Sequence, residues 1–453
     1  SANGGGIYTE GYETVFPRPS IELRRCVIKS NAVAARSGEG GRARGGGVCS
    51  VYGNMTLIDC TVSENTVNYS VGEAMRNSGE GGGIFLYCGT ATIATSRISN
   101  NFASGKDYQG DFNGAGGGLC SGLCALTMAN CVISGNTANG GRGGGVAARG
   151  NNVNDARISQ CTITDNLVAR PSDSDIEITA STHIGGGGVY CVYSTITNCT
   201  ISNNSAPHGG GLFLWWGTGD TTVANCTITR NRVTHAGGVG GGMFCHMGEY
   251  LLLRNTIFQQ NDRYAIYENK EGDSAIINCL FSSNPDGDYY DKDTTSTLTG
   301  ADEINELPGA ANNIDGAPLF VSGPKGEHYL SQTAAGQSQT SPAVDAGSAL
   351  ASTLSMNQLT TRTDGVADSG QGDIGRHYGP DDPPFSCRLT TTVSGGHGSL
   401  APESGNYYPV DTVVQLVAQP EDGYQVRAWH GTDDDDSTST NNTVTMDDDK
   451  TVT

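Results

Sequence analysis

A short pattern that returns once per turn of chain limits this sequence to very few architectures. Cys26, Cys60, Cys131, Cys161, Cys199, Cys226 and Cys279 are each followed five positions later by an asparagine, at Asn31, Asn65, Asn136, Asn166, Asn204, Asn231 and Asn284. Typical copies read Cys199-Thr-Ile-Ser-Asn-Asn204 and Cys226-Thr-Ile-Thr-Arg-Asn231. Ser96 to Asn101 is a copy with serine in the cysteine position, and Asn255-Thr-Ile-Phe258 is another whose asparagine is displaced to Asn261. A glycine triplet followed by apolar residues lies between successive copies, as in Gly81-Gly-Gly-Ile-Phe85 and Gly209-Gly-Gly-Leu-Phe213. The two signatures alternate strictly, so self-similarity is the first fact to explain.

One step of the pattern is one coil of a solenoid. Segments such as Val189-Tyr-Cys191 and Thr200-Ile-Ser202 have the period of two that sends alternate side chains to opposite faces of a strand. Glycines allow the sharp corners between strands, and asparagine tolerates left-handed backbone, with stacked amides able to bond along the axis. Helical periodicity is absent. The expected fold class is all-β, a right-handed parallel β-helix with a small C-terminal all-β module.

Composition agrees. Glycine makes up 66 of 453 residues and charged residues only 16%, against averages of about 7% and 25%. A solenoid that buries only inward-facing residues needs few apolar positions, and 36% is enough here. No run approaches the roughly 18 apolar residues of a membrane span. The formal net charge of -21 argues against nucleic acid and anionic membranes as partners. It suits an exported protein able to collect divalent cations. The opening Ser1-Ala2-Asn3-Gly4-Gly5-Gly6 reads as the interior of a longer or processed chain.

Coil length varies between the asparagine corner and the next glycine triplet. The inserts at 66–80, 102–115 and 167–184 are therefore expected on one loop-rich flank, often the binding face of a solenoid. Residues 1–284 read as β-helix coils, 285–378 as the last coils and a C-terminal cap, 379–386 as a stiff linker and 387–453 as the small module. Asn313-Ile-Asp-Gly-Ala-Pro-Leu-Phe320, Ser341-Pro-Ala-Val-Asp345-Ala-Gly-Ser348 and Asp373-Ile-Gly-Arg-His-Tyr378 resemble the C-terminal end of bacterial surface β-helix proteins of the choice-of-anchor type. Thr361-Arg-Thr-Asp-Gly365 is similar to planctomycete versions. The order Leu389-Thr-Thr-Thr-Val393, Val413-Val-Gln-Leu416, Gly423-Tyr-Gln-Val426, Trp429 and Val444-Thr-Met446 resembles the bacterial-repeat module of surface proteins. That resemblance implies one more apolar strand after Thr453.

The cysteines occupy one equivalent position on coils stacked about 4.8 Å apart, which predicts a buried ladder of small apolar side chains. Disulfides along the ladder are the alternative, since that spacing lies near the lower end of the bridging range. Cys49, Cys88, Cys120, Cys191 and Cys245 read as a second, looser ladder. Trp215 and Trp216 are adjacent, so alternation turns one of them outward, where it could stack on a sugar ring beside Tyr190 or Tyr193. A column of His183, His208 and His235 is a candidate for a transition metal, with surface corners the plainer reading. Asp286, Asp288, Asp291 and Asp293, with Asp433, Asp435 and Asp447, are loop carboxylates that could hold structural calcium, and otherwise no cofactor is expected. Glycoside hydrolysis needs two carboxyl groups at a set separation, and a lyase needs an acidic calcium cluster beside a base. Neither constellation is visible in the sequence. The expectation is an extracellular or cell-surface structural or adhesive protein, with itself and surface glycans as partners, including head-to-tail assembly into a filament or layer. The alternative is a polysaccharide lyase or hydrolase working on the loop-rich flank.

Overall fold

A computed structural model describes residues 2–12, 17–35, 42–69, 78–104, 116–150, 156–169, 184–215, 221–246, 251–269, 274–382, 386–409, 412–446 and 450–453. Each coil opens at its glycine triplet. The first glycine takes the left-handed backbone region, with φ from +44° at Gly116 to +72° at Gly186. The second sits so close to the next coil that a Cβ on Gly46 would lie 2.2 Å from the carbonyl oxygen of Gly82. Only glycine meets both demands.

Four strands follow in each of the first seven coils, as in Val48–Val51, Asn54–Ile58, Thr61–Ser63 and Thr66–Tyr69, and the coil opening at Gly240 has the first three. Stacked coil on coil, they form sheets of eleven, nine, ten and seven strands among the described residues. Pairing in these sheets is parallel apart from the last pair, Gly287–Asp291 with Ser296–Leu298. The molecule is thus a right-handed parallel β-helix, the hand that strand twist imposes on parallel crossovers. Ile98, Ile133, Ile163, Ile201 and Ile228 stack in register through the core, each fully buried.

The corners assign the repeat residues roles that differ from the sequence expectation. The residue before each ladder asparagine adopts positive φ, from Ser30 and Glu64 to Ser283, and the ladder asparagine itself does not. Its work is done by the side chain. Asn65 donates its backbone N–H and its Nδ2 to Asn101 Oδ1, both at 3.0 Å, and Nδ2 also reaches the Ile28 carbonyl at 2.9 Å. The same bonds recur through Asn136, Asn166, Asn204 and Asn231 to Asn261 and Asn284. Asp288 closes the series, accepting from Asn284 Nδ2 at 2.8 Å.

The cysteine position is a donor position, not merely an apolar one. Each ladder thiol donates to the carbonyl two residues back, at 3.2–3.6 Å, from Cys26 to Arg24 through Cys279 to Ile277. Where cysteine is replaced, Ser96 and Thr256 make the same bond, to Ala94 at 2.7 Å and Arg254 at 3.0 Å. All fourteen cysteines are free thiols. The second ladder does not exist as one row. Cys49 and Cys120 face outward from the first sheet, Cys191 and Cys245 face the core, and Cys88 sits at a left-handed corner. Register within the first sheet separates the three.

Residues 285–378 do more than finish the stack. One further strand, Ile314–Asp315, pairs with Leu280–Ser282, and a short helix, Ala301–Ile304, packs at the end of the core. The chain then turns back along the outer face of the third sheet. Leu330, Ala343 and Ile374 bury Ile257 and Leu280 there. The contacts step backwards through the coils, with Asn278 Nδ2 to the Ala346 carbonyl at 2.9 Å and Ser348 N–H to Asn255 Oδ1 at 2.8 Å. Further back, Arg376 donates to the Cys161 carbonyl at 2.8 Å and to Thr162 Oγ1 at 2.7 Å. This strap covers roughly the later half of the sheet.

A second compact unit holds residues 383–453 with 322–327. Ser386–Thr391 pairs with Tyr407–Pro409 and Lys450–Val452, and Val413–Pro420 with Gly398–Ala401 and Asn441–Thr445. Cys387, Leu389, Leu416, Trp429, Val444 and Met446 form its core.

Candidate functional site

Alternation along the first sheet fixes which side chains can meet a ligand. In Met243–His246, Met243 and Cys245 enter the core while Phe244 and His246 face out. The outward row reads Tyr190, Phe213, Phe244, Tyr267 and Tyr290 in strict register. Its rings stack along the axis, with Phe213 and Phe244 at 4.6 Å, Phe244 and Tyr267 at 5.8 Å and Tyr267 and Tyr290 at 4.4 Å between centroids. Burial, reinforced by Tyr290 and Tyr264, pushes the Tyr267 phenol up to about 12.

Trp215 faces outward beside this row, as alternation requires, and Trp216 lies outside the described residues. The Trp215 indole is stacked on the His246 imidazole at 4.2 Å and 5°. His246 is in turn held by Asn269 at 2.6 Å. Tyr190 is only 3% exposed, against Phe213 at 5.3 Å, with the Arg142 guanidinium 5.2 Å from its ring. Tyr193 is half-buried at a left-handed corner. A sugar needs a free ring face, and protein rings cover one face each of Trp215 and Tyr190.

The loop carboxylates are directed at separate turns. Asp288 accepts from Asn284 and from the Gly300 N–H, and Asp291 from the Asp293 N–H and Thr294 Oγ1. Asp286 lies 3.7 Å from Arg263. In the small module Asp433 accepts from Thr443 and Thr445, and Asp435 from Gly431 and Thr432. Asp447 lies outside the described residues, as does His183. His208 is buried against Phe244, and His235 bonds the Gly237 N–H of its own turn.

Among the described residues, the acidic and histidine side chains whose ligating atoms all fall within 4.8 Å are Asp368, Asp373 and His377. All three are buried and their bonds run inward. Asp368 Oδ2 accepts from His377 Nε2 at 2.8 Å and the Asp373 N–H at 3.0 Å, while Asp373 accepts from the Asp345 N–H at 2.7 Å and from Thr361. Carboxylates with that many donors tie the strap together and have little left for an ion.

Glu268 was not legible as a candidate in the sequence. It faces the core one rung from Cys245 and in register with Asp291, and is 4% exposed. Burial pushes its carboxyl up to about 7, against a hydrogen bond with Tyr289 that acts the other way. Aligning Cys191, Cys245 and Glu268 as one inward row would have found it. Its inward direction keeps it from an extended polysaccharide.

Residues 145–302 match the family described as the right handed beta helix region, and residues 389–453 match the divergent InlB B-repeat domain. No curated protein matches the chain. Among the described residues no helix is long and apolar enough to cross a membrane.

Proposed function

We propose that this protein is an extracellular, surface-displayed scaffold that presents a stiff β-helix for adhesion, with surface glycans as the partner class. The asparagine ladder carries the reading. It links coil to coil from Asn31 to Asn284 by buried side-chain hydrogen bonds, so the coils cannot slide or unstack singly without orphaning polar groups. Rigidity of that kind serves display and load. The match of residues 389–453 to a repeat domain typical of surface proteins supports the location, as does the acidic charge. The resemblance to choice-of-anchor ends points the same way.

The rival is a polysaccharide lyase or hydrolase. Incubation of the purified protein with polygalacturonate, alginate and neutral glucans, read for unsaturated and reducing ends, separates the two. The scaffold reading expects no new ends above a heat-treated control. Sustained release of ends at a rate proportional to protein would replace it with the enzyme reading.

A further inference from the structure

The thiol ladder is interrupted at Ser96 and Thr256, which divides it into separate runs. Cys131, Cys161, Cys199 and Cys226 form one run, each with 0% exposure. Cys26 and Cys60 form a second, and Cys279 stands by itself beyond Thr256. Cys26 is half-buried. The Thr61 N–H bonds the Cys26 carbonyl at 2.9 Å, and Val27 pairs with Thr61, so the two cysteines are direct neighbours on adjoining rungs. Parallel neighbours stand about 4.8 Å apart, inside the roughly 4.4–6.8 Å range that a disulfide spans.

We propose that Cys26 and Cys60 are a modification site, closing to a disulfide that staples the first two coils in an oxidising compartment. With oxidised glutathione as oxidant, the Cys26 thiolate attacks one sulfur and expels one glutathione thiolate. Cys60 then attacks the Cys26 sulfur, expels the second glutathione, and gives up its proton to the thiolate released. Two protein thiols are oxidised and one glutathione disulfide is reduced to two thiols. Cys60, 2% exposed and with its thiol raised above the usual range mainly by burial, is the resolving partner, and the half-buried Cys26 is the one that reacts first with the oxidant. Serine at position 96 leaves no third thiol to which the bond could migrate.

The bond closes a loop of about 35 residues and restricts the unfolded first coil. The proposal rests on the ladder geometry and is independent of the adhesive reading.

The native protein is incubated with oxidised glutathione, mapped by mass spectrometry, and followed by hydrogen exchange. A Cys26–Cys60 cross-linked peptide is expected, with exchange in Ser20–Arg24 and Val27–Lys29 slowed on the order of 100-fold. Cys60→Ser keeps the hydrogen bond that Ser96 makes elsewhere, so it folds, and it should leave Cys26 as a mixed disulfide with exchange unchanged. A wild-type product that stops at glutathionylated Cys26, or that links other cysteines first, overturns the proposal, as does a chain whose thiols all remain unreacted.

Discussion

The side-chain amide of Asn198 holds the backbone of His377 at both ends, accepting its N–H at 2.7 Å and donating to its carbonyl at 2.7 Å. The two residues are 179 positions apart, and the pair is buried. Asn198 precedes the ladder cysteine of its coil and carries a left-handed corner at φ +52°. One residue type thus makes the turn and clamps the strap.

Asn198→Asp should therefore keep the corner and lose the clamp, because the Asp carboxylate cannot donate to the His377 carbonyl. Loss of one buried bond beside a new charge should cost about 2–3 kcal/mol in urea unfolding. Exchange should rise first around 374–378. Unchanged protection there would remove the clamp from the account.

The asparagine ladder gives a sharper expectation. Asn166→Ala removes in one step the acceptor shared by the backbone N–H and Nδ2 of Asn136 and the Nδ2 donor to the Ile133 carbonyl, leaving Asn136 Nδ2 only its bond to the Ile98 carbonyl. Each unpaired buried group costs roughly 1–3 kcal/mol. A loss of about 3 kcal/mol or more is expected, with exchange increased on both adjoining coils.

If the cysteine position is a donor position, Cys161→Ser should be tolerated and Cys161→Ala should not. The thiol bonds the Ser159 carbonyl at 3.2 Å, and a hydroxyl makes that bond in other coils. A difference of about 1 kcal/mol in favour of serine is expected by chemical denaturation. Equal variants would return the position to simple packing.

Glu268 should make the last coils weaken as pH rises. Its folded carboxyl titrates near 7, above its ordinary value of 4.5, because burial disfavours the charged form. Below pH 4.5 the folded and unfolded states are both protonated, and no difference arises. Between 4.5 and 7 the unfolded chain releases its proton first, so stability falls, and the penalty is complete above 7. It amounts to about 3 kcal/mol. Glu268→Gln should flatten the pH dependence of exchange in Tyr264–Glu268.

The repeat was legible because its residues act within a coil or on the next coil. Period-two alternation in segments such as Thr200–Ser202, one outward side chain of Trp215 and Trp216, and a column of asparagines along one axis are all readable from residue order. The corner roles were shifted by one residue, since the sequence shows which residues recur but not which of two neighbours bears the positive φ. The strap was not legible. Its contacts join Asn198 and Asn255 to residues about 100 to 180 positions away, and nothing periodic marks such pairs. The stacking of Trp215 on His246 was likewise invisible, because it depends on register between coils of unequal length.

Electron microscopy of intact producing cells, with gold-labelled antibody against the β-helix, tests the central claim most directly. The account predicts label on the cell exterior, over rods or an ordered layer, without permeabilisation. Label confined to the cell interior would contradict it.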